Sequence, residues 1–149
     1  MVEKTRIKQA TLDDMDELAP MFDAYRVFYG CKSDVRRAHD WLRARIGNNE
    51  STVLMATTGN DPAGFVQMYP MYSSVHTARI WILNDLFVDP AHRRSGVAQA
   101  LLDAAKSFAR DDGARSIVLE TSRDNAAARA LYTGNGWQED DTQWYSHIL

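Results

Sequence analysis

The stretch from Ile80 to Phe108 constrains this chain more than any other. From Ile80 to Val88 it is nearly all apolar and long enough for a strand buried on both faces. Asn84 and Asp85 interrupt that run at its middle. A buried amide or carboxylate is costly unless something pairs with it, so these two residues need a structural reason. Pro90 removes a backbone donor and ends the strand. From Val97 the apolar spacing becomes helical, with Val97, Leu101, Ala104, Ala105 and Phe108 on one face.

The joint between strand and helix carries Arg93, Arg94 and Gly96. A helix N-terminus does not favour two cations, and a glycine there lets another group approach the backbone closely. Unpaired N–H groups, a bare glycine and two arginines suit a large anion such as a phosphate or pyrophosphate. The same residues also suit a surface turn with two solvated arginines, and the pattern by itself leaves both readings open.

At 149 residues the chain is expected to form a single domain over 1–149 with a stable core. Its net charge of -3 argues against a non-specific nucleic-acid binder. No apolar run reaches the length of a membrane span, and the first ten residues lack the apolar core of a signal peptide. A cytoplasmic protein with no membrane partner is expected. The single cysteine, Cys31, rules out an internal disulfide and a cysteine metal cluster. The four histidines lack metal-ligand spacing, so no metal is expected.

In chain order, Arg6 to Ala10 reads as a strand, and Thr11 caps a helix that carries Leu18, Phe22 and Tyr25. Pro20 should kink that helix or split it. Ser33 is expected to cap a second helix through Ile46, with Val35, Ala38, Trp41, Leu42 and Ile46 inward. Strands follow at Thr52–Thr58 and Ala63–Tyr69, a loop at Pro70–Thr77, and the long strand at Ala78–Val88. After the helix from Val97 to about Arg110 come a strand at Ser116–Glu120 and an alanine-rich helix at Ala126–Tyr132. Final strands are expected at Trp137 and at Trp144 to Leu149, as a hairpin across Glu139-Asp140-Asp141. The order β-α-α-β-β-β-α-β-α-β-β implies an α/β (α+β) fold with a mixed, mostly antiparallel sheet of six to seven strands flanked by helices.

This order and two separated motifs resemble the GNAT superfamily of acetyl-CoA-dependent N-acetyltransferases. Arg93-Arg94-Ser95-Gly96-Val97-Ala98 fits that family's pyrophosphate loop, (Gln/Arg)-x-x-Gly-x-(Gly/Ala), between a strand and a helix. Downstream, Asn125, Ala128, Leu131-Tyr132 and Gly136-Trp137 resemble its second motif. The two motifs stand about 30 residues apart with a strand between them. The resemblance covers nearly the whole chain.

The resemblance implies a transferase that uses acetyl-CoA as cosubstrate. Its pyrophosphate would rest on the N–H groups of Arg94 to Ala98, with Arg93 or Arg94 also reaching the 3′-phosphate. Its pantetheine arm would bond along the backbone of Leu86, Phe87 and Val88 like an added strand. The splay that admits it usually accompanies a β-bulge, which would account for Asn84 and Asp85. Asn125, Ala128 and Tyr132 belong to the same cofactor set, and Tyr132 matches the family's general acid. The central strand is similar to that of the spermidine/spermine and thialysine acetyltransferases. Those carry a Glu-Asp pair where this chain has Asn84-Asp85, and Asn84 cannot take a proton. Asp85 is then the candidate base if a bulge turns it to the acceptor's face.

The expected partner is a small-molecule amine, in a pocket between the first helices, the loop near Tyr69 to Ser74, and Asn84-Asp85. Tyr25, Arg26, Tyr29, Tyr69 and Tyr72 are the candidate lining residues. A protein or peptide acceptor, or a non-catalytic acyl-CoA sensor on the same fold, are the competing readings. A homodimer formed through the late strands is also expected from the resemblance, with Trp137 and Trp144 either at that surface or in the core.

Overall fold

The computed structural model describes residues 4–149. The chain divides into two compact units, Met1–Leu119 and Glu120–Leu149. The first holds strands β1 (Thr5–Gln9), β2 (Thr52–Thr58), β3 (Asp61–Ser73), β4 (Ala78–Val88) and β5 (Ser116–Val118), with helices α1 (Met15–Phe28), α2 (Val35–Gly47) and α3 (Val97–Asp111). The second holds α4 (Ala126–Gly134). The strands lie in sequence order in one sheet, antiparallel throughout except for the parallel β4–β5 pair.

One sheet face packs on α1 and α2. Leu18, Phe22 and Leu42 from the helices meet Val53, Met55, Phe65 and Phe87 from the strands in a continuous buried cluster. The other face packs on α3, whose Phe108 ring meets Trp81 edge-on at 5.2 Å between centroids. Gly64 lies under Leu101 on that side, and a Cβ there would come within 2.4 Å of the Phe87 carbonyl oxygen. Only glycine permits that close approach of β3 to β4.

The register between β3 and β4 slips once. Gln67 pairs with Asp85, but its neighbour Met68 pairs with Leu83. Asn84 is therefore an extra residue, a bulge in β4. The bulge reverses the alternation: Trp81 and Leu83 face α3, whereas Asp85 and Phe87 face α1.

Several expectations are corrected. The sheet has five strands, not six or seven. None forms at Trp137 or Trp144–Leu149: Trp144-Tyr145 and Ile148-Leu149 are adjacent pairs, so no alternation gives a strand there one apolar face. Pro70 to Ser73 is strand rather than loop, paired with Ala78–Trp81. The α1 helix runs unbroken through Pro20, which is exposed together with Asp16, so the carbonyl deprived of its donor faces water. Asp34, not Ser33, caps α2, accepting from the Arg37 N–H at 3.0 Å. Ser33 instead donates to the buried Asp23 carboxylate at 2.7 Å, which also accepts from the Asp34 N–H at 2.7 Å. Val35 and Trp41 are exposed because Ala38 and Leu42 supply the buried stripe of α2.

Candidate active site

β4 ends at Val88, and a single 3₁₀ turn (Pro90–His92) leads to the loop before α3. Arg94 has φ +61° and Gly96 φ +82°, both in the left-handed region, and Gly96 occupies the N-cap of α3. No side chain caps that helix and no acidic residue lies in its first turn. Its leading N–H groups are thus offered to an external acceptor, and nothing approaches within 4 Å of where a Gly96 Cβ would stand. Arg93 turns back and donates from Nε to the Val88 carbonyl at 3.2 Å. Ser95 donates through Oγ to the His92 carbonyl, closing the loop on itself.

The adjoining edge of β4 is open. β5 pairs only with Ile80, Trp81 and Ile82. Among the described residues no strand pairs with that side of Leu83–Val88. The backbone of Leu86, Phe87 and Val88 can accept an extended partner there. The uncapped helix and the open edge fit the pyrophosphate and pantetheine arm of a coenzyme A thioester.

On the α1 face a polar group lies within the apolar core. Asp85 is 4% exposed and Gln67 is fully buried. Gln67 donates from Nε2 to Asp85 Oδ2 at 2.6 Å, and Asn84 donates from Nδ2 to Oδ1 at 2.9 Å. Burial above all, then the charge of Asp85 and a hydrogen bond to it, and finally Tyr29, push the Tyr25 hydroxyl far above its ordinary value of 10.0. Tyr69 is raised by burial and by Asp85, against the pull of the Trp41 indole hydrogen-bonded to it and the Arg45 charge. Both phenols are therefore neutral donors at working pH, not bases. Edge-on rings run from Phe65 through Tyr25 to Tyr29 and Phe28, with centroids 5.0–5.9 Å apart.

The structure thus gathers Asp85, Asn84, Tyr25, Tyr29 and Tyr69. Arg26 lies on the same helix, half-buried, with its Nη1 buried and without a partner. Tyr72 is not among them. It pairs with Arg79 on the α3 face, where its hydroxyl accepts from Arg79 at 3.2 Å.

In the second unit, Asn125 caps α4 by accepting from the Ala128 N–H at 3.1 Å. Tyr132 lies on that helix with its ring centroid 6.1 Å from that of Trp137. The Trp137 N–H returns to the Tyr132 carbonyl at 3.0 Å. The second motif is therefore a capped helix whose exit is closed by a backbone hydrogen bond.

The family model for the acetyltransferase (GNAT) family matches residues 16–137. The chain belongs to the GNAT acetyltransferase family. This N-acetyltransferase is 46% identical over 134 residues to the uncharacterized N-acetyltransferase YhfO of Bacillus subtilis, covering 90% of each chain. It is 32% identical to a probable acetyltransferase of Haemophilus influenzae, over 74% of this chain and 76% of that one. Its fold matches the crystal structure of a probable acetyltransferase with a TM-score of 0.92 and 39% identity over 97% of each chain. A predicted acetyltransferase from Clostridium acetobutylicum, crystallised with acetyl-CoA, shares the fold at a TM-score of 0.77 and 16% identity, over 97% of this chain and 96% of that one.

Two residues of the acetyltransferase's polar group escaped the sequence reading. Gln67 is a single polar residue in the apolar run Ala63–Tyr69, the same signal that marked Asn84-Asp85. Trp41 was assigned to the core, but its partial exposure and the Arg45 guanidinium 4.4 Å over its ring place it beside Tyr69. Among the described residues no cluster of His, Cys, Asp and Glu could hold a metal ion, and no helix is long and apolar enough to cross a membrane.

Proposed function

We propose that this acetyltransferase moves the acetyl group of acetyl-CoA to the primary amine of a small molecule, by direct attack in a ternary complex. The whole chain, 1–149, would act as one domain, in the cytoplasm and as a homodimer. The observation that carries the reading is the buried Asp85 carboxylate, turned by the bulge onto the α1 face of the strand whose other edge is open.

The ammonium of the acceptor gives one proton to Asp85, and the freed lone pair attacks the thioester carbonyl. The N–C bond forms, and the oxyanion takes a hydrogen bond from a backbone N–H near Leu86 or Phe87. The C–S bond then breaks. The thiolate of coenzyme A takes its proton from the Tyr132 hydroxyl, whose ordinary pKa of about 10 suits that transfer. The acylated nitrogen loses its second proton to solvent, which also reprotonates Tyr132 and removes the proton from Asp85. Tyr25 and Tyr69, both neutral, serve as donors around the acceptor.

Thiol release from acetyl-CoA, measured with amino acids, polyamines, aminoglycosides and short peptides as acceptors, tests this. One class of small amine should turn over. Asp85→Asn and Tyr132→Phe should each lower kcat by about 10²–10⁴, while acetyl-CoA still raises the melting temperature. Turnover on peptides alone, or undiminished turnover in Asp85→Asn, would sink the proposal.

A further inference from the structure

Gln67 has an acceptor that nothing satisfies. Its Nε2 is committed to Asp85 Oδ2 at 2.6 Å, which fixes the orientation of the amide, because the flipped form would set oxygen against oxygen. Oε1 is then buried without a hydrogen-bond partner, on a residue with no exposed surface. Such an orphan is destabilising as it stands, and that cost is recovered when a ligand brings a donor. The neighbouring groups say which donor. Asp85 supplies a negative formal charge beside Gln67. The Arg45 charge beyond Tyr69 is matched by Glu50 at 3.5 Å. Exposed Asn84 extends the hydrogen-bond network to the surface.

We infer that Gln67 is a specificity-determining residue, whose Oε1 receives one N–H of the acceptor's ammonium while Asp85 receives another. This rests on the amine-transfer reading above and adds to it a means of discrimination. The site counts N–H groups: a primary ammonium satisfies both acceptors, whereas N,N-dimethylation leaves a single N–H for the two of them.

Calorimetric titration in the presence of coenzyme A provides the test, with n-butylamine, tyramine and 1,4-diaminobutane, each against its N,N-dimethyl form, the diamine being dimethylated at both nitrogens. Wild type should bind at least one primary amine, about tenfold or more tighter than its N,N-dimethyl form. Gln67→Met should weaken that binding by about tenfold or more and erase the preference. Gln67→Glu, which shares a proton with Asp85 and keeps an acceptor oxygen in place, should retain both. Acetyl-CoA affinity should be the same in all three proteins. Equal binding of primary and N,N-dimethyl amines by wild type overturns the inference. So do unchanged binding by Gln67→Met, equal losses in both variants, or no amine binding at all. If the amines bind as expected but are never acetylated, the transfer reading fails and the role of Gln67 stands.

Discussion

From Ile80 to Ile82, β4 is paired along both edges, and Trp81 and Leu83 turn toward α3. Beyond Asn84 it is bonded along one edge and turns Asp85 and Phe87 toward α1. The same strand is an interior scaffold in its first half and an open ledge in its second. A side chain's burial does not separate the two, since Trp81 and Asp85 are both 4% exposed. What differs is the backbone. In the first half every polar group can be satisfied within the sheet. In the second, one edge and one carboxylate are left to face a ligand. A single inserted residue makes the division, which is how a bulge re-aims a side chain without breaking a sheet.

The largest effect should come from deleting Asn84. The pairs Met68–Leu83 and Gln67–Asp85 would then follow in regular register, with both faces unchanged, while the bend at the bulge is lost. Acetyl-CoA should bind at least about tenfold more weakly and kcat/KM should fall by about 10², with circular dichroism still reporting a folded protein. Intact acetyl-CoA affinity would mean that the open ledge does not depend on the bulge. In the first half, Trp81→Phe should do the reverse. It removes the indole N–H donated to Asp112 at 2.9 Å and opens a small void against Phe108, costing about 1–2 kcal/mol of stability. The Kd for acetyl-CoA should not move, and a shift in it would merge the two halves. The smallest effect is alkaline. The folded state holds the Tyr25 proton far above its ordinary value of 10.0. The resulting stabilisation is complete below that pH and is lost as pH rises toward the folded value. Melting temperatures from pH 9 to 11.5 should therefore fall less steeply in Tyr25→Phe, by roughly 2 °C per pH unit. Equal slopes would detach Tyr25 from Asp85.

The scaffold half was legible from residue pattern, because an unbroken apolar run followed by a helical period has few other solutions. The ledge was legible only as an anomaly. Asn84-Asp85 announced that something costly sat in the strand, but the face of Asp85 depended on a register that only cross-strand pairing defines. The same dependence misled the reading of Tyr72, which looked equivalent to Tyr69 until β3 proved to continue past Pro70. Pro70 suggested a loop, yet a proline is tolerated where the ladder does not require its N–H. Gln67 was missed because an amide in an apolar strand reveals nothing of its partners. The two arginines and glycine before α3 stood out in the sequence because helix-end chemistry is local and so is written in consecutive residues.

The Asp23 carboxylate, held by Ser33 and the Asp34 N–H, fixes where α2 begins regardless of what lies between the helices. Residues 30–32 are all exposed. An insertion there adds only slowly to the entropy of closing the loop. The segment is thus free to drift in length and composition while both helices keep their stations. For a laboratory library or a natural lineage in search of a new acceptor, this is the place where variety is cheapest, and Asp23 is the hinge-pin that any such library should leave untouched.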